Sequence, residues 1–166
     1  MGSREGDRKP FRKVIVAGTF DRLHEGHKAL LRTSAELGEE VLVCIADGPL
    51  LIGKNFREKI ESYDVRKRKV EDFLRSINAR FSIVKILDPI GPAGSDPRTD
   101  AIVVSTETYP GALRVNFERK KNGLKELVIV VCPLVVAEDG KPISSSRIRA
   151  GEIDVRGKLR THISMG

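Results

Sequence analysis

The sequence predicts a single α/β domain: a doubly wound, parallel, five-stranded sheet with helices on both faces. Three observations carry that expectation. Five apolar runs recur, at 14–17, 40–46, 81–87, 101–105 and 127–131, and they are too continuous for strands with a wetted face. Segments of helical spacing separate them, which makes successive strands parallel and joins them by right-handed crossovers. Polar, glycine-bearing loops follow several of the runs, at the carboxyl ends where such sheets hold ligands. A length of 166 residues suffices for one well-filled core and is short for two domains.

In chain order, residues 1–12 read as a flexible basic tail, 13–153 as the domain and 154–166 as a second tail. The first strand, Val14-Ile15-Val16-Ala17, runs into Gly18-Thr19-Phe20-Asp21-Arg22-Leu23-His24-Glu25-Gly26-His27, and a helix is expected from near Gly26 through Arg32. The second strand is closed by Asp47-Gly48-Pro49. Residues 62–77 have helical spacing, with Val65, Val70, Phe73, Leu74 and Ile77 on one face and basic residues on the other. A turn-rich loop, 88–97, follows the third strand, and a helix over 111–122, stopped by Gly123, follows the fourth. Ser144 opens a final helix containing Ser145, Ser146, Arg147, Ile148 and Arg149. The loop at 18–27, Asp47, Ser105-Thr106-Glu107 and the serine cluster therefore converge on one edge of the sheet.

Composition bounds the function. A net charge of +7 invites a nucleic-acid reading, but +3 of it lies in the first thirteen residues and +2 in the last thirteen. The domain between carries a surplus of +2, which suits a small phosphorylated substrate, so nucleic acid is not expected as a partner. No run approaches the ~18 apolar residues of a membrane span, and the N-terminal residues lack the apolar stretch of a secretory signal. Cys44 and Cys132 each sit inside an apolar run and read as buried thiols, which with the missing signal implies a cytoplasmic protein. Glutamine is absent and charged residues reach 32%, a composition expected of a protein from a hot environment.

The loop at 18–27 carries the strongest chemical signal. A helix start presents free backbone N–H groups and the positive end of its dipole, and imidazoles there add directed donors for a phosphate. The loop has neither the spaced glycines of a dinucleotide fingerprint nor the Gly-Lys-Ser/Thr of a P-loop. Ser144-Ser145-Ser146 with Arg147 and Arg149 would suit the outer phosphates of a triphosphate. Taken alone, the serines are equally an ordinary helix cap beside solvated arginines, and a lone histidine at a helix start is often a cap.

Gly18-Thr19-Phe20-Asp21 with His24-x-Gly26-His27, and Ile143-Ser144-Ser145-Ser146-Arg147-Ile148-Arg149 roughly 120 residues on, resemble the two signatures of the nucleotidyltransferase superfamily. Within it, segments 87–97 and 104–111 resemble the archaeal-type phosphopantetheine adenylyltransferases, also a domain of eukaryotic bifunctional coenzyme A synthase. The likeness covers about residues 13–150. It implies a Rossmann-like fold and transfer of AMP from ATP to 4′-phosphopantetheine, releasing pyrophosphate, without a covalent enzyme intermediate. It implies that His27, His24 and Lys54 are catalytic. Gly18, Thr19, Phe20, His24, His27, Glu107, Ser144, Ser145, Ser146, Arg147 and Arg149 would hold ATP. Thr19, Asp47, Lys54 and Arg66 would hold phosphopantetheine, although a surface arginine and a solvated lysine are the plainer readings of Arg66 and Lys54. Mg²⁺ would be carried mainly by the ATP phosphates, and the protein would be a monomer or small homo-oligomer.

The rival readings are transfer to another acceptor (FMN, nicotinamide mononucleotide or glycerol 3-phosphate) and a non-catalytic nucleotide- or RNA-binding module. Cytidylyltransferases acting on glycerol 3-phosphate usually carry Arg-Thr-x-Gly before Ile-Ser, where this chain has Ala137-Glu138-Asp139-Gly140-Lys141-Pro142.

Overall fold

The computed structural model describes residues 8–160, which form five parallel strands and four α-helices. The elements are β1 (Phe11–Gly18), α1 (Glu25–Leu37), β2 (Gly38–Ala46), α2 (Tyr63–Ser76), β3 (Phe81–Ile86), β4 (Ala101–Ser105), α3 (Tyr109–Lys121), β5 (Val128–Cys132) and α4 (Ser145–Arg149). Single 3₁₀ turns at Gly48–Leu51, Arg57–Lys59 and Gly91–Gly94 interrupt the loops after β2 and β3. The sheet order is β3-β2-β1-β4-β5, so the winding reverses between the central neighbours β1 and β4.

Alternation along each strand divides the core into two layers. Val16 of β1 joins Val41, Val43 and Ile45 of β2 against Leu31 and Ala35 of α1 and Val70 and Leu74 of α2. Ile15, Leu42, Cys44, Ile102 and Val104 face the other way, onto Ala112 and Val115 of α3 and Ala93 of the 91–94 turn. Both cysteines are buried thiols, and burial pushes the Cys44 thiol up to about 12. Among the described residues no helix is long and apolar enough to cross a membrane.

Local chemistry explains the helix ends. Ser62 caps α2 by accepting the Val65 N–H at 3.3 Å, and Gly123, at φ 71°, ends α3 in the left-handed conformation. Val65 departs from the expected apolar face: it is 42% exposed, because α2 turns Arg66 inward instead. The tail boundaries also shift. Phe11 and Arg12 belong to β1, where Phe11 pairs with Gly38 and Arg12 forms a bidentate ion pair with Asp100 at 2.9 and 3.1 Å. Residues 154–160 fold back on the domain: Val155 accepts the Glu25 N–H at the start of α1, and Leu159 donates to Glu138. The flexibility expected of residues 1–7, and residues 161–166 of the second tail, lie outside the described residues.

The long loop after β3 is held by a buried arginine. Arg119 of α3 is 1% exposed; its Nη1 donates to the carbonyls of Ala93 and Asp96 at 2.8 Å each, and its Nε to Lys125 at 2.8 Å. Replacing it with Met keeps the stem and leaves three carbonyls without their donor. Arg119→Met should therefore lower the unfolding free energy by about 3 kcal/mol in urea titrations; a loss within ~0.5 kcal/mol would mean that the carbonyls find water.

Candidate functional site

The site grows from the start of α1. His24 is the N-cap in extended conformation, and its Nδ1 accepts the His27 N–H at 3.3 Å. Reciprocally, the Nδ1 of His27 accepts the His24 N–H at 3.2 Å, so the two histidines form a capping box in which each ring satisfies the other's backbone. Their rings stack with centroids 3.6 Å apart and planes 17° from parallel. Gly26 is required by this stack, since a Cβ there would lie 2.9 Å from His24 Cε1. Phe20 is 1% exposed and holds a left-handed φ of 53°, and its ring lies 5.3 Å from that of His27.

This geometry fixes the proton positions. An Nδ1 that accepts a hydrogen bond carries no proton, so each neutral imidazole has its proton on Nε2 and donates there. Protonating Nδ1 would set N–H against N–H. Burial lowers the His24 pKa to about 4, and burial together with the charge of a protonated His24 holds His27 well below the usual histidine value.

Two cavities of about 260 Å³ each open along the carboxyl ends of the strands. The polar one is lined by Phe20, His24, Gly26 and His27 from the β1–α1 loop, Ser105, Glu107 and Thr108 after β4, Pro133, Leu134 and Val135 after β5, and Ser144, Ser145, Ser146 and Arg149 at α4. The other is apolar and lies on the α3 side, against Ile15, Cys44, Ile86, Ile90, Ala93, Ala112 and Val115. They meet at Ala17, Gly18, Thr19, Lys54 and Thr108, which line both. Lys54 thus stands at the junction; burial and the nearby Arg149 lower its pKa, while Asp21 acts in the opposite sense.

The serine cluster divides its hydroxyls. Ser144 Oγ accepts the Arg147 N–H and Ser146 Oγ accepts from Arg149, leaving both free to donate, whereas Ser145 donates its proton to the Asp21 carbonyl at 2.7 Å.

Three residues expected at the substrates stand elsewhere. Arg66 is fully buried: its guanidinium donates to the carbonyls of Thr19, Ala46 and Glu61 at 2.7–3.0 Å and to Asp47 Oδ1 at 2.8 Å, and it lines neither cavity. It braces the loops after β1 and β2. Asp47 is turned to Arg66 and Lys85 and likewise lines neither cavity. Arg147 points away, neutralised by Asp139 and Glu152 and bonded to the Pro142 carbonyl. Ser105, placed at this edge with Glu107, lines the polar cavity, and so do Thr108 and the 133–135 segment, which had not been singled out. Their position at the ends of β4 and β5 is the signal that could have found them.

The chain matches the cytidylyltransferase-like family over residues 15–151. It is 47% identical over 152 residues to a phosphopantetheine adenylyltransferase of Thermococcus gammatolerans, spanning 90% of this chain and 95% of that protein. It is 46% identical over 148 residues to a phosphopantetheine adenylyltransferase of Pyrococcus abyssi, spanning 89% and 94%. Among solved structures it resembles a protein of unknown function from Archaeoglobus fulgidus, with a TM-score of 0.65, 29% identity and coverage of 72% of this chain and 88% of that one.

The histidine geometry sets a pH dependence. Below the ordinary histidine pKa of ~6.5 the unfolded chain takes up protons that the folded site refuses. The contribution to stability is therefore intact above pH ~6.5 and is lost as pH falls toward the His24 value of about 4. Urea midpoints should decline across that window, and His24→Asn, which keeps a capping oxygen, should flatten the decline. A wild-type midpoint that is level from pH 6.5 to 4 would contradict the assignment.

Proposed function

We propose that this chain, which belongs to the cytidylyltransferase-like family and, with its relatives, to the phosphopantetheine adenylyltransferases, moves AMP from ATP to 4′-phosphopantetheine, giving dephospho-coenzyme A and pyrophosphate. The observation that carries the reading is the meeting of a polar and an apolar cavity at Gly18, Thr19 and Lys54. ATP takes the polar cavity, its phosphates against the start of α1 and its adenosine toward Glu107 and the 133–135 segment. The apolar cavity takes the uncharged arm of the acceptor. Its phosphate then arrives at Thr19 and Lys54, beside the α-phosphorus.

A phosphate oxygen of the acceptor attacks the α-phosphorus in line, the bond to the β-phosphate oxygen breaks, and pyrophosphate leaves. No protein nucleophile is needed; the protein places two anions and compensates their charge. His24 and His27 donate from Nε2 to phosphate oxygens without carrying charge, so their donor capacity is constant through neutral pH. Ser144, Ser146 and Arg149 hold the outer phosphates, and Lys54 offsets the acceptor's charge. Mg²⁺, carried mainly by the ATP phosphates, would neutralise charge on the leaving pyrophosphate. Soluble substrates of this kind are consistent with work in the cytoplasm.

Pyrophosphate release from ATP and Mg²⁺, run warm with 4′-phosphopantetheine, nicotinamide mononucleotide, FMN and glycerol 3-phosphate and repeated with CTP, tests the reading. Release is expected with ATP and 4′-phosphopantetheine, with dephospho-coenzyme A as the product by mass; release with a different acceptor instead would overturn it. His27→Asn should lower kcat by about 100-fold or more while the KM for ATP stays within ~3-fold, the mark of an interaction made in the transition state. Equal losses in both would assign His27 to ground-state binding. Thr19→Val should raise the KM for 4′-phosphopantetheine more than that for ATP, and the reverse order would remove Thr19 from the acceptor.

A further inference from the structure

Asp21 is fully buried and lines neither cavity, so it does not meet a substrate directly. A carboxylate in that position is strongly unfavourable unless both oxygens are engaged. Oδ1 accepts the Glu61 N–H at 2.9 Å and Oδ2 accepts Arg149 Nη1 at 2.7 Å. We propose that Asp21 is a positioning residue for the transfer reaction, setting the place of Lys54 at the junction of the two cavities through Arg149 and the segment that carries the lysine.

The path is short and made of direct contacts. Arg149 spends its Nη1 on Asp21, its Nη2 on Ser146 Oγ at 3.3 Å and its Nε on the Asn55 carbonyl at 3.0 Å. Asn55 follows Lys54 in the chain. The segment is therefore tied at Asn55 and at Glu61, and both ties lead to one carboxylate. Its own structure is slight: two 3₁₀ turns, Gly53 at φ 87° and Phe56 at φ 56°, with local bonds such as Lys54 N–H to the Leu51 carbonyl. Arg22 and Arg66 also hold this segment, at Lys59 and Glu61, but the Asp21–Arg149 route alone of these reaches Asn55. Electrostatics demands the same arrangement. Arg149 and Lys54 are like charges near one another, and a buried carboxylate lets both remain at one junction before a phosphate arrives. The shared anion leaves that junction net positive, which fits an incoming acceptor phosphate.

The inference rests on the reading of Lys54 as the partner of the acceptor phosphate. In the full-length chain, Asp21→Asn should speed amide hydrogen exchange across 52–61 by about tenfold while β1, β2 and β4 keep their protection. It should raise the KM for 4′-phosphopantetheine by about tenfold with the KM for ATP within ~3-fold, and Asp21→Asn combined with Lys54→Ala should be no worse than Lys54→Ala alone. Should Asp21→Asn fail to fold, Arg149→Lys keeps the charge, removes the donor to Asn55 and should give the same faster exchange across 52–61. Unchanged exchange across 52–61, or effects of Asp21→Asn and Lys54→Ala that simply add, would overturn the inference. A wild-type protein inactive with 4′-phosphopantetheine would instead overturn the functional reading, and the exchange result would still decide whether Asp21 holds the segment.

Discussion

Adjacent strands β1 and β4 send the chain in opposite directions, and their divergence leaves a crevice at the carboxyl ends that neither outgoing connection covers. Everything chemical in the molecule is arranged around that opening. The β1–α1 loop brings His24 and His27 to one side of it, the β4–α3 loop brings Ser105, Glu107 and Thr108 to the other, and α4 comes from far along the chain to close the third. On the α3 face of the sheet, at the same edge, the apolar cavity lies between Ile15 and Cys44 on one side and Ala112 and Val115 of α3 on the other. One edge of the sheet thus carries both a polar and an apolar cavity, in contact with each other.

Loops that leave a crevice need their carbonyls satisfied, and here arginines do this from inside. Arg66 gathers the carbonyls of Thr19, Ala46 and Glu61, Arg119 those of Ala93, Asp96 and Lys125, and Arg149 that of Asn55. A planar fork of five donors suits several carbonyls arriving from different loops better than an ammonium would. This changes the meaning of the charge surplus. Part of it is internal, Arg66, Arg119 and Arg149 being no more than 6% exposed, and so it contributes no surface for a polyanion.

The sheet was legible because its signal is local. Apolar runs mark the strands, and the boundaries of β4 and α2 fall within a residue of the expected positions. The start of α1 was legible for the same reason, since a capping box spans four consecutive residues. What local pattern did not show was the place of Arg66 and Arg147, whose partners are set by the fold. Arg66 sits among basic residues on a helix and looks solvated; its burial is decided by carbonyls up to 47 positions away. Arg147 follows the serine cluster as a phosphate-binding arginine would, yet Asp139 and Glu152 claim it. Asp21 lay inside a recognised motif without an assigned task, because its partner Arg149 is 128 positions away. The tails were drawn from composition, which says nothing of the contacts that Phe11 and Val155 make.

A mechanism that relies on placement ties catalysis to stability in an unusual way. Where a protein supplies a nucleophile, one side chain can be lost and the scaffold keep its shape. In the proposed reaction the donors are imidazoles whose orientation comes from capping their own helix, so the hydrogen bonds that begin α1 would aim both Nε2 protons. The lysine at the junction sits on a segment fixed by the pair that also satisfies a buried carboxylate. The wall of the apolar cavity includes Ala93, whose carbonyl is one of the three that Arg119 holds. In each case the structural bond and the functional bond are one bond, and a substitution that loosens the site must also weaken the fold. The ion pairs and buried arginines that hold the loops would, in the proposed reaction, also keep the phosphates' partners in place.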